Sequence, residues 1–215
     1  MKRYSTRSGF TIVELLIVIV VIAILASLTV VGFNNAQRTA RNGARLAAGS
    51  AAIEAVKVVL TKKTPTEVQA AMGQNPGDDW WRACIGTGHP SVGGKNACGY
   101  YGSTVYVWEV DTFNTLLTSI AGPVDVSRYP ATQSTGGDTV TGPYIETAWV
   151  DGKSMLAVEY SLEGTGQKCN VNNEPLIYRL SDGSNTLTAP SGSAADYTSS
   201  GSGITECIVA AATSY

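Results

Sequence analysis

One carboxylate stands inside an otherwise uncharged apolar run. It is Glu14, in Arg7-Ser8-Gly9-Phe10-Thr11-Ile12-Val13-Glu14-Leu15, and no Lys, Arg, Asp, Glu or His follows it until Arg38. A charged side chain at membrane depth is costly and is retained where it has a function. Glu14 therefore needs a partner, and two chemistries supply one. Thr11-x-x-Glu14 matches a capping box, in which the carboxylate serves the start of its own helix and suits the helix dipole. Alternatively, a cation on a neighbouring molecule pairs with it, low dielectric strengthening the attraction while desolvation offsets part of it. Both can hold at once.

The other residues with chemical potential are four cysteines and one histidine. Cys84, Cys98, Cys169 and Cys207 are an even set downstream of an apolar segment, which reads as disulfides outside the cytoplasm. Zinc is the rival, but no C-x-x-C occurs, and His89 has no metal-ligand spacing to the cysteines. Three connectivities are open. Pairing Cys84 with Cys98 and Cys169 with Cys207 closes the smaller loops. His89 lies in a Gly/Pro loop without an evident Ser/His/Asp set, so it reads as a surface residue and not a base. The glycines of Gly86-Thr87-Gly88 and Gly93-Gly94 lack the strand-to-helix setting of a phosphate loop. Asp182-Gly183-Ser184-Asn185 is oxygen-rich enough to suggest calcium, but a β-turn is the stronger reading. No catalytic residue, metal or cofactor is expected, and the chain does not read as an enzyme.

The elements that position these groups begin with a span. From Phe10 to Val31 the chain is almost all Ile, Val, Leu and Ala. A helix of that length covers roughly 33 Å, enough to cross a bilayer. The run is too long for the apolar core of a cleaved secretory signal, and Ala23-Ile24-Leu25-Ala26 has the wrong spacing for an A-x-A site. Lys2, Arg3 and Arg7 precede the span, and Arg38, Arg41 and Arg45 follow it, so the positive-inside rule is near a tie. The cysteines place the C-terminal part outside the cytoplasm. Beyond the span, Leu46, Ile53, Val56 and Leu60 recur on one face of a continuing amphipathic helix, with Gly32 and Gly43 as weak points.

Gly9-Phe10-Thr11-Ile12-Val13-Glu14, after a basic leader and before the apolar run, resembles the class III signal of type IV pilins and pseudopilins. The resemblance covers about the first 50 residues. It implies cleavage between Gly9 and Phe10 by a prepilin peptidase, N-methylation of Phe10, and a need for Glu14 in subunit addition. The new α-amine would be cationic at neutral pH. Glu14 of one subunit would then pair with the Phe10 amine of the next, setting the axial stagger of packed helices. Further partners implied are copies of the chain, other pilins and an inner-membrane assembly platform. One departure stands out: many pilins carry a proline about two-thirds along the span, where this chain has Val30-Val31-Gly32.

The fold expected is α+β and pilin-like, a long N-terminal helix packed on a small antiparallel sheet. Its divisions are a leader over 1–9, a transmembrane and assembly helix over 10–31, an amphipathic continuation over 32–62 and an extracytoplasmic head over 63–215. Within the head, Thr64-Pro65-Thr66-Glu67 predicts a capped helix to Met72, with Gly73 as its stop. Trp80-Trp81 and Gly86–Gly102 read as loop, the tryptophans headed for the core. Thr104–Val110 reads as a strand, and Asp111 as the cap of a helix over Thr112–Ala121. Tyr144–Val150 and Ser154–Leu162 around Asp151-Gly152 form a hairpin. Leu176–Leu180 and Thr205–Ala211 are further strands, and Ser181–Gly203 is a loop.

A structural subunit of a type IV pilus or pilus-like surface filament is the leading expectation. It is held in the cytoplasmic membrane by a single pass before assembly. A pseudopilin of a secretion or DNA-uptake machine is the alternative, and a signal-anchored extracytoplasmic binding domain is the second. With 17 acidic and 15 basic residues, the chain has no general attraction for nucleic acid, though Lys57, Lys62 and Lys63 form a possible local patch.

Overall fold

A computed structural model describes residues 9–74, 80–169, 174–179, 184–187 and 203–212. Most of the leader, residues 188–202, Leu180 and the Asp182-Gly183 half of the oxygen-rich turn lie outside the described residues. The chain divides into two compact units between Ala40 and Arg41, and each is taken by itself below.

Helix α1 runs from Ile12 to Leu60, with Gly32 and Gly43 inside it. Its first part is apolar and exposed from Ile12 through Leu28, and Phe33 is exposed as well. It contains the one stretch among the described residues long and apolar enough to cross a membrane.

In the second unit, residues 41–60 of α1 lie on a five-stranded antiparallel sheet. The sheet joins β1 (Gly73–Gln74), β2 (Trp81–Cys84), β8 (Tyr144–Val150), β9 (Lys153–Glu163) and β12 (Ile204–Ala212) in the order β1-β2-β8-β9-β12. The helix contributes Ala48, Ala52, Ile53, Ala55, Val56 and Val59, against Ile145, Leu156, Val158, Tyr160, Leu162 and Val209. Strand alternation sends the intervening residues to the other face. There Ala148, Val150, Met155, Ala157, Ile208 and Ala210 meet Ile177 and Leu187. Both faces of the sheet are therefore covered, and β9 is buried almost throughout.

Gly49 fixes how closely helix and sheet approach. A Cβ there would sit 2.6 Å from Cδ1 of the fully buried Tyr160 ring. Leu46 and Leu60 only flank this core as partly buried residues.

Helix α2 (Pro65–Ala71) follows α1, opened by the expected capping box. Thr64 Oγ1 accepts from Glu67 N at 3.3 Å, and Glu67 Oε2 accepts from Thr64 N at 2.9 Å. The helix stops at Met72 as its C-cap, and Gly73 opens β1 instead of serving as the stop.

Several expectations need correction. Gly86–Gly102 is not one loop, because β3 (Ser91–Val92) and β4 (Lys95–Tyr101) form a hairpin within it. Gly93 and Gly94 make its turn in left-handed conformations, at φ 55° and 80°. Trp81 opens β2, and both tryptophans are half-buried. Trp81 leans on the main core, while the Arg82 guanidinium lies 4.7 Å above the Trp80 ring. Strand β5 ends at Trp108 (Thr104–Trp108), and helix α3 (Asp111–Ala121) begins at Asp111. Asp111 is thus a first-turn acid suited to the dipole, not the cap. That position belongs to Val110, which has no side-chain cap bond.

The second sheet runs β3-β4-β7-β6, with β6 (Thr132–Gln133), β7 (Asp138–Val140) and β5 also on β4. Asp151 and Gly152, at φ 50° and 76°, join β8 to β9 with both central residues left-handed, as a type I′ hairpin requires. A small ribbon, β10 (Tyr178–Arg179) with β11 (Asn185–Thr186), completes the described strands. The observed class is α+β, a long helix on an antiparallel sheet, as the pilin-like expectation has it.

Candidate functional site

The residues singled out by sequence fall into two groups. Gly9, Phe10 and Glu14 gather at the start of α1. Gly9 and Phe10 precede the helix, and Phe10 is 85% exposed. Among the described residues, a Cβ on Gly9 would meet nothing within 4 Å.

Thr11 stands immediately before α1, at its N-cap position. Its Oγ1 accepts from Glu14 N at 3.2 Å. The Glu14 carboxylate reaches back, accepting at Oε2 from Thr11 N at 2.9 Å and from Thr11 Oγ1 at 2.8 Å. The capping-box reading is therefore realised within the chain, between residues within one turn of each other.

The cysteines form the second group. Cys84 bonds to Cys98 and Cys169 to Cys207, the pairing that closes the smaller loops. One bridge ties β2 to β4 and hence the two sheets. The other ties β12 to the segment after β9. With all four sulfurs paired, the zinc alternative has no thiolate to offer.

His89 departs from its expected surface position. It is buried, with its ring against Gly142, where a Cβ would come within 2.3 Å of His89 Cε1. Its Nε2 lies 3.3 Å from Ile85 O, and its backbone N donates to Glu109 Oε1 at 2.8 Å. Burial pushes the imidazole below its ordinary pKa, against the pull of the Ile85 carbonyl and the Glu109 carboxylate. His89 is thus a packed loop residue.

Sequence reasoning missed a polar anchor in the head. Asn42 Nδ2 donates to Glu163 O at 3.0 Å, and Glu163 N donates to Asn42 Oδ1 at 2.9 Å. Arg41 grips the Glu163 carboxylate with Nε at 2.8 Å and a second nitrogen at 2.7 Å. Arg45, only 1% exposed, donates to Pro130 O, Ala131 O and Asn42 Oδ1 at 2.9, 2.8 and 2.7 Å, and reaches Glu163 at 3.4 Å. Burial draws its pKa down while Tyr129 and Glu163 hold it up, and the guanidinium stays charged. The Arg41-Asn42-x-x-Arg45 spacing puts all three on neighbouring turns. That spacing was the available signal, hidden by reading these arginines only as topogenic charge.

The suggested basic patch is largely spent within the chain. Lys57 pairs with Glu174, and Lys63 with Glu67 at 2.9 Å.

Compared with protein-family models, residues 4–30 match the prokaryotic N-terminal methylation motif. No curated protein matches the chain, and no solved structure does. The matched segment contains Gly9, Phe10, Thr11 and Glu14 and ends well before the head.

Proposed function

We propose that this chain, whose residues 4–30 match the prokaryotic N-terminal methylation motif, is a pilin-like structural subunit of a type IV pilus or pilus-like surface filament. The divisions proposed are a leader over 1–9, an assembly helix over 10–31, its amphipathic continuation over 32–62 and an outer head over 63–215. A prepilin peptidase cuts between Gly9 and Phe10 and methylates the new Phe10 amine. The methylated amine is still protonated at neutral pH. Glu14 of one subunit then pairs with the Phe10 amine of another. In a medium of low dielectric this pair sets which axial stagger is tolerated, because any other register leaves a carboxylate unpaired.

The observation that carries this reading is a carboxylate at the helix start inside a run of exposed apolar side chains, Ile12 through Leu28. Such a surface is stable against lipid or against copies of itself, and not against water. Electron microscopy with antibody to the head tests it. Labelled surface filaments are the expected result. Short envelope-confined assemblies would place the chain with pseudopilins, and a Glu14→Ala chain displayed and active as before would make it a lone anchored domain.

A further inference from the structure

Cys84 and Cys98 clamp the two ends of a short excursion that carries the chain's one histidine. The excursion leaves β2 at Ile85, turns through residues 86–90 and returns through the β3–β4 hairpin. Its start is tied to α3, where Gly86 N donates to Asn114 Oδ1 at 3.0 Å. Its far end is held by Ala97 N, which donates to Pro90 O at 2.9 Å. Between these ties stands His89, 7% exposed, with its ring on Gly142 in the link from β7 to β8.

A carbonyl only accepts, so the 3.3 Å contact with Ile85 O puts the hydrogen on His89 Nε2. Burial holds the ring below its ordinary pKa of 6.5, against the pull of the Ile85 carbonyl, the Glu109 carboxylate and the Thr141 backbone. A pull toward the charged ring is what an acceptor exerts, so two backbone acceptors face an imidazole that has one N–H when neutral. An imidazolium would serve both, at the cost of a buried charge. Among the described residues, Glu109 is the one charged group that faces the ring. Its two oxygens already accept from His89 N and Asn96 Nδ2.

We propose that His89 is an acid-sensitive latch on this turn. When neutral, the ring packs on Gly142 and closes residues 86–90; when protonated, it moves out to water and the turn opens beside α3. Thr87 lines a groove along α3 with Asp111, Thr115 and Thr118, so opening reshapes that groove. The Cys84–Cys98 bridge confines the movement to the residues that it encloses. Linkage gives the sign. A depressed folded pKa leaves the closed state fully held above the unfolded value, here 6.5, and weakened as pH falls toward the folded one. Glycine at 142 belongs to the device, since a Cβ there would lie 2.3 Å from Cε1 of the closed ring.

The test is hydrogen exchange of the full-length chain in detergent, with the single histidine followed by NMR in the same sample. Between pH 7.5 and pH 5.5, protection of residues 87–89 should fall several-fold, up to the roughly tenfold that one linked proton supplies over that range. The turn should lose protection ahead of β9 at each pH, and the ring should titrate below 6.5. His89→Gln should abolish the pH dependence. Gly142→Ala should leave the turn open throughout, with a ring that titrates as it does in water. Unchanged protection of residues 87–89 across this range would overturn the latch. So would the same fall in His89→Gln, or a turn that exchanges only together with β9. Where a variant fails to fold, the pH series of the parent chain decides by itself.

Discussion

Asn42 and Glu163 exchange two hydrogen bonds across a sequence separation of 121, each joining the Asn42 side-chain amide to the Glu163 backbone. Both partners are thereby fixed, and Arg41 and Arg45 close over the same residue from the adjacent turn. The anchor stops β9 and α1 from sliding past each other where the apolar core has thinned out. Arg45→Ala would leave the Pro130 and Ala131 carbonyls without their donor in a part-buried site. A loss of about 2–4 kcal/mol is expected. Thermal unfolding of the purified chain in detergent should show the fall, with exposed Arg38→Ala staying within about 0.5 kcal/mol of the parent.

Gly49→Ala should destabilise the head. Its Cβ has no room beside the Tyr160 ring, which is itself fully buried. Overpacking of this kind costs about 1–3 kcal/mol. Gly43→Ala is the matched control: nothing lies within 4 Å of its Cβ, and alanine is the better helix former by up to about 1 kcal/mol. Opposite signs for these two substitutions, read by denaturant melts, would confirm the tight crossing at Gly49.

The two disulfides should contribute unequally. Their sequence separations are 14 for Cys84–Cys98 and 38 for Cys169–Cys207. In the chain-entropy model, the longer loop stabilises by about 1 kcal/mol more. Paired Cys→Ser variants should therefore rank with the Cys169/Cys207 pair as the more damaging. The reverse ranking would mean that the link between the two sheets outweighs loop length.

Acid should weaken the head through specific carboxylates. The Arg41 hydrogen bond, with help from Arg45, holds the Glu163 pKa below its ordinary 4.5. Lys63, then Thr64, draws Glu67 down to about 2. A depressed folded pKa gives stability that is present above the unfolded value and lost as pH falls through the folded one. Both groups are partly exposed, so the effect is modest. Stability should decline from about pH 4.5 downward. Glu163→Gln should be weaker than the parent at pH 7 and converge with it near pH 2, a comparison that urea melts across pH would make.

Local signals in the sequence were legible where the chemistry is local. Thr64 to Glu67, Asp151-Gly152 and Thr11 to Glu14 each involve residues within a turn of one another, and each formed as its residue types dictate. Gly86–Gly102 misled because glycine there serves tight hairpin turns and the close approach of Tyr106 to Gly99, contacts set by distant strands. His89 is buried because Gly142 leaves space for its ring, which composition cannot reveal. The Arg45 anchor depends on backbone carbonyls more than 80 residues away. Nothing in the arginine itself announces that.

In the proposed filament, cleavage before Phe10 creates the cation that Glu14 meets. Mass spectrometry of the N-terminus in sheared filaments tests it most directly. The expected mature chain starts at Phe10 and carries one added methyl group on its amine. A chain still bearing Met1, or one cut after Ala26, would contradict it.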